Sequence, residues 1–171
     1  MSQHTRIFLI GPMGAGKTTI GRRLAKVLKW RFIDCDHEIE RRTGAAISLI
    51  FDIEGEVGFR QRECRIIDEL TQLDDIVLAT GGGAVLHADN RAALSTRGFA
   101  VYLYARLDEL LARTRNDIHR PLLQTPDRAA RLQNIITERN PLYQATAQLS
   151  IDTSEFPIGE IVTRIREAIS A

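Results

Sequence analysis

The chain alternates short apolar runs with longer stretches whose apolar residues recur at helical spacing. Ile7, Phe8, Leu9 and Ile10 form an unbroken apolar run of the kind that becomes a strand buried on both faces. Behind it, Ile20, Leu24, Val27 and Leu28 fall on one face of a helix over residues 17–29. The same reading predicts strands at residues 6–10, 31–34, 76–80, 100–104 and 148–152. Helical patterns fill the intervals at 17–29, 37–43, 47–73, 87–97, 107–114, 129–146 and 157–169. Repeated strand-then-helix order implies parallel strands joined by right-handed crossovers. The expected architecture is a three-layer α/β/α fold: a five-stranded parallel sheet with helices on both faces. Ligands of such sheets bind outside the carboxyl ends of the strands, so chemistry is expected just after Ile10, Asp34, Thr80, Tyr104 and Asp152.

Composition narrows the class. At 171 residues, 44% hydrophobic and 26% charged, with no linker-like stretch or internal repeat, residues 1–171 are expected to form one domain. A formal net charge of +1 argues against a dedicated nucleic-acid surface. No apolar run is long enough to span a bilayer, and the N-terminal one is too short for a signal peptide. The two cysteines, Cys35 and Cys64, match no zinc-site or redox-pair spacing and are expected to be reduced. These features predict a cytoplasmic protein with neither nucleic-acid nor membrane partners, and a monomer is expected.

Candidate chemistry begins after the first strand. Gly11, Pro12, Met13, Gly14, Ala15, Gly16, Lys17 and Thr18 satisfy G-x-x-x-x-G-K-[ST] at every fixed position, between a predicted strand and a predicted helix. Such a loop turns backbone N–H groups onto a triphosphate, and the helix N-terminus adds partial positive charge. Lys17 can bridge the terminal phosphates, and the Thr18 hydroxyl can ligate Mg²⁺. This is the phosphate loop of a P-loop NTPase fold.

The second strand ends in Asp34-Cys35-Asp36. Two carboxylates two residues apart on an extended chain point the same way, and would face the terminal phosphate if this strand neighboured the phosphate-loop strand. One could hold Mg²⁺ through water while the other orients or deprotonates a hydroxyl; alternatively, an aspartate here caps the next helix. Gly81, Gly82 and Gly83 follow the third strand and suit either a ligand floor offering N–H groups or a flexible turn. No acid follows that strand, which shifts metal support towards Asp34. Arg60, Arg120 and Arg139 suit a carboxylate or a phosphoryl group, or else are solvated surface charges. The polar stretch 114–127, with Pro121 and Pro126, reads as a mobile lid carrying Arg120.

Taken together, these stretches resemble the shikimate kinase family. The resemblance rests on GPMGAGKTT (11–19), DCDHEIERRTG (34–44), and Ile47, Ile50, Phe51, Gly55, Glu56, Phe59, Arg60 and Glu63. It continues through TGGGAV (80–85), RPLL (120–123) and the ER-x-PLY stretch (138–143), and so spans essentially the whole chain. The resemblance implies transfer of the γ-phosphoryl group of ATP, with one Mg²⁺, to the 3-hydroxyl of shikimate. It places Asp36 on the substrate hydroxyls within a substrate-binding helical region, about residues 36–63. Arg60 and Arg139 would grip the shikimate carboxylate, with Gly81, Gly82 and Gly83 beside the ring. Lys17 and Arg120 would act on the transferring group; Thr18 would hold Mg²⁺ directly and Asp34 through water. ATP would contact residues 11–19, Thr19 included, with adenine between Arg113 and the loop 152–157 that contains Pro157. Gluconate kinase and nucleoside monophosphate kinases share this architecture and remain rivals, as does a nucleotide-dependent binding module without turnover.

Overall fold

The computed structural model describes residues 4–117 and 121–171. Five parallel strands, β1 (Arg6–Ile10), β2 (Arg31–Asp34), β3 (Ile76–Ala79), β4 (Phe99–Tyr104) and β5 (Leu149–Asp152), form one sheet in the order β2-β3-β1-β4-β5. Between and after them run α1 (Lys17–Leu28), α2 (Cys35–Thr43), α3 (Ile47–Leu70), α4 (Ala88–Thr96), α5 (Leu107–Arg113), α6 (Arg128–Thr146) and α7 (Ile158–Ser170). The α/β/α architecture with a five-stranded parallel sheet is therefore as expected.

Strand alternation divides the core in two. Ile7 and Leu9 of β1 pack with Ile20 and Leu24 of α1 and with Ile161 and Ile165 of α7. Phe8 and Ile10 face the other way, against Ile66, Ile67 and Leu70 of α3 and Tyr143 of α6. All of these side chains are buried, each worth about 1.5–3 kcal/mol of transfer free energy. β1 lies between β3 and β4; β2 and β3 are wound on one side of it and β4 and β5 on the other, and this reversal opens a crevice at the carboxyl end of β1.

Several local expectations need correction. The condition that β2 neighbour β1 is not met, because β3 lies between them. The reason is burial: Ile-Val-Leu-Ala is buried throughout and takes an inner position, whereas Arg-Phe-Ile-Asp is partly exposed and tolerates the edge. Asp36 is not on a strand; α2 begins at Cys35, so the two-residue alternation does not apply to the pair Asp34 and Asp36. The long third helix is broken at Gly55, whose φ of 71° only glycine adopts without strain. Strand and helix ends elsewhere shift by one to three residues.

Candidate active site

The phosphate loop leaves β1 at Gly11, where a side chain would overlap the carbonyl oxygen of Leu103 on β4. That close approach and a φ of 143° both require glycine. Gly16 precedes α1 in the left-handed region at φ 99°, aiming the first helical N–H groups into the crevice. Lys17 is only 9% exposed, and its Nζ donates to the carbonyls of Gly11 (2.6 Å) and Pro12 (2.9 Å). A buried ammonium costs several kcal/mol, so this loop is built around the cation.

Asp34 joins the phosphate loop to α2. Its Oδ2 accepts from the Thr18 hydroxyl (2.9 Å), and its Oδ1 accepts from the backbone N–H of His37 (3.1 Å). The helix cap is therefore Asp34, and Asp36 sits in the first turn of α2, turned towards the glycines. Thr18 and Asp34 together offer two hard oxygen donors beside a helix N-terminus. That donor set suits Mg²⁺, which is oxygen-liganded and keeps much of its water.

The triple glycine exists for space. Gly81, Gly82 and Gly83 have no φ in the left-handed region. A Cβ on Gly81 would stand 2.9 Å from Asp36 Oδ1 and 2.9 Å from Glu63 Oε2. One on Gly82 would stand 3.5 Å from Arg139 Nη1 and 3.5 Å from the Met13 backbone nitrogen. One on Gly83 would overlap the Arg60 guanidinium. Three consecutive residues thus make room for one carboxylate pair and two guanidiniums, and the middle one also touches the phosphate loop.

Burial sharpens the chemistry of this floor. Arg139 is 4% exposed and Glu63 1% exposed. Arg60 Nη1 pairs with Glu63 Oε1 at 2.9 Å, and Nη2 reaches Glu56 at 3.3 Å. Burial pushes the Glu63 carboxyl up from its ordinary range, offset in part by Arg60 and Arg139. For Arg60, burial works to lower the pKa, but Glu63 and Glu56 outweigh it and hold the cation firmly charged. Among the described residues, Nε of Arg60 and both Nε and Nη1 of Arg139 have no hydrogen-bond partner. Unused donors on buried cations form a receptor for a planar anion.

Two supports were not assigned roles from sequence. Tyr143 is fully buried, stacks on Tyr102 (centroids 4.9 Å apart) and donates its hydroxyl to the Gly82 carbonyl, which pins the floor. Burial pushes its phenol up, so the hydroxyl remains a donor. Glu63 is the other. Spacing was the available signal: Glu63 is one helical turn from Arg60, and Tyr143 is one turn from Arg139.

On the far side of the loop, Arg113 donates to the Gly14 carbonyl (3.1 Å) and to Thr153 Oγ1 (3.1 Å) and carbonyl (3.2 Å). Arg113 and the loop after β5 are thus together, as expected, and Pro157 caps α7 just beyond. A cleft of about 1300 Å³ is lined by Gly14, Lys17, Thr18, Asp34, Asp36 and Arg113 among others. Gly81 and Gly82 also line it, whereas Arg60, Gly83 and Arg139 stand outside that lining, against the floor. Arg128 of α6 donates to the Thr114 carbonyl (2.6 Å), tying together the ends of the expected lid. Arg120 lies outside the described residues.

Comparison with known proteins agrees with this arrangement. A family model described as "Shikimate kinase" matches residues 13–170. The chain is 55% identical to a shikimate kinase of Nitrosococcus oceani, over 93% of this chain and 84% of that one. It is 53% identical to one of Halorhodospira halophila, over 96% and 93% respectively. Its fold matches that of a shikimate kinase from Acinetobacter baumannii in complex with shikimate, with a TM-score of 0.94 and 48% identity over 97% of this chain and 93% of that one. The chain belongs to the shikimate kinase family and is an ATP-dependent kinase.

Proposed function

We propose that this kinase transfers the γ-phosphoryl group of ATP to the 3-hydroxyl of shikimate, with the residues around the triple glycine as the acceptor site. The observation that carries the reading is Arg139, a buried guanidinium with two unused donor nitrogens, facing the same glycines as Arg60 and Asp36. A ligand bearing a carboxylate and neighbouring hydroxyls matches that set. Its carboxylate would take the Arg60 and Arg139 donors, and a hydroxyl would meet Asp36 across Gly81.

ATP would lie with its phosphates on the backbone of residues 11–19 and its adenine near Arg113, Thr153 and Pro157. Asp36 orients the acceptor hydroxyl and takes its proton as the oxygen attacks phosphorus and the bond to ADP breaks. Lys17, with Arg120 from the lid, stabilises charge on the transferring group. Mg²⁺, held by Thr18 and through water by Asp34, would neutralise phosphate charge when bound. We take the enzyme to act in the cytoplasm as a monomer; among the described residues no helix is long and apolar enough to cross a membrane.

Arg139→Lys tests the acceptor site. Lysine keeps the charge but loses the planar fork. Removing one charge-assisted hydrogen bond costs about 1.5–3 kcal/mol, so the KM for shikimate should rise roughly ten- to hundredfold. The KM for ATP should stay nearly constant. Equal shifts for both substrates, or unchanged shikimate binding, would move the carboxylate clamp elsewhere.

A further inference from the structure

A second group of donor side chains lies on the outer side of α3, away from the phosphate loop. Cys64 is on α3, His87 caps α4, and Asp89 is in the first turn of α4. Cys64 Sγ is 3.8 Å from His87 Nδ1, which is 3.9 Å from Asp89 Oδ2. One ligand atom from each of the three lies within 4.8 Å of the others. We propose that Cys64, His87 and Asp89 form a surface site for a borderline-soft divalent cation of the Zn²⁺ class, distinct from the Mg²⁺ position beside Thr18.

The donor chemistry sets the choice of metal. Thiolate, imidazole and carboxylate are the ligand types of Zn²⁺, whereas Mg²⁺ takes oxygen alone. Around a tetrahedral Zn²⁺ with ordinary bond lengths, neighbouring ligand atoms stand about 3.3–3.6 Å apart. Cys64 Sγ and His87 Nδ1, at 3.8 Å, are within a few tenths of an ångström of that spacing, whereas the exposed Asp89 carboxylate, 3.9 Å from Nδ1 and within 4.8 Å of both, must swing in to complete the set. His87 and Asp89 are exposed and Cys64 is partly so, which gives the ion a path in and a fourth position open to water. Binding would displace the thiol proton to solvent and take over the His87 lone pair that now accepts the Asp89 N–H (3.1 Å).

The position has a structural consequence. Cys64 follows Glu63 directly and lies one turn beyond Arg60, while His87 follows the short turn Ala84–Leu86 that leads out of the triple glycine. Arg60, Cys64 and His87 line one surface depression of about 640 Å³. A bound ion would cross-link α3 to the segment after the glycines, the two elements between which the acceptor site is built. An ion that binds only the folded chain raises its thermal midpoint by mass action.

Titration of the full chain with Co²⁺ and Zn²⁺ tests this site. The native protein should take up one Co²⁺ with a thiolate charge-transfer band, and Zn²⁺ should displace it and raise the thermal midpoint by several degrees. Cys64→Ser should abolish the band, and His87→Ala should weaken Zn²⁺ binding at least tenfold. Both variants should keep their Mg²⁺-dependent kinase rate without added Zn²⁺, which shows that they are folded. A native protein without the band, a band that persists in Cys64→Ser, or undiminished Zn²⁺ affinity in His87→Ala would overturn the proposal.

Discussion

Lys17→Ala is expected to lower kcat about a thousandfold while the protein remains folded. A charge contact realised on the transferring phosphoryl group is worth roughly 3–4 kcal/mol, and alanine at this position removes it entirely. The loop is built around the ammonium, but the core beneath it is not. The contacts it makes with the Gly11 and Pro12 carbonyls tie it to the loop itself, whereas α1 is held by Ile20 and Leu24 in the core. Deleting a buried cation also removes its desolvation penalty, so the thermal midpoint should change little. Steady-state kinetics and a melting curve on the purified variant check both halves. A folded variant with near-native kcat would mean that residues 11–18 are not the catalytic phosphate loop.

Asp36→Asn should reduce kcat by roughly a hundred- to ten-thousandfold, the range for a positioned general base, with little change in the KM for ATP. Asp34, not Asp36, caps α2, so the substitution leaves the cap intact, and the charge it removes from the first turn is worth about 0.3–1 kcal/mol through the helix dipole. The asparagine amide keeps the size and can still hydrogen-bond the acceptor hydroxyl, so the KM for shikimate should move less than kcat. A loss confined to stability, with kcat preserved, would reduce Asp36 to a helix-end charge.

How much of this was legible in the chain depended on how local the physics is. The phosphate loop is chain-local: strand, glycines, lysine and helix follow one another within residues 6–28, and their structure agrees with their pattern. The parallel sheet was legible because its apolar runs admit few other arrangements. The neighbours of β2 were not, since strand order depends on which strand tolerates an edge, and that becomes clear only once β3 is seen buried throughout. The glycines at 81–83 read as either a ligand floor or a flexible turn, and what the chain could not show is the side chains from α2, α3 and α6 for which they leave room. Glu63 and Tyr143 each stand one turn from an arginine, but what gives them their place is contact with the distant floor, Glu63 against Gly81 and Tyr143 on the Gly82 carbonyl. Cys64 and His87 show the limit most clearly, because no short spacing relates residues that only the packing of α3 against α4 brings together.

The central claim is that the buried arginines and Asp36 select a hydroxylated carboxylic acid as phosphoryl acceptor. The most direct measurement is ADP release from Mg²⁺–ATP in a coupled assay, with shikimate, gluconate or a nucleoside monophosphate offered in turn. Release should depend on shikimate and saturate with it, and remain near background with the other two. ADP release that is indifferent to shikimate, or faster with gluconate or a nucleoside monophosphate, would contradict the assignment of the Gly81, Gly82 and Gly83 floor as a shikimate site.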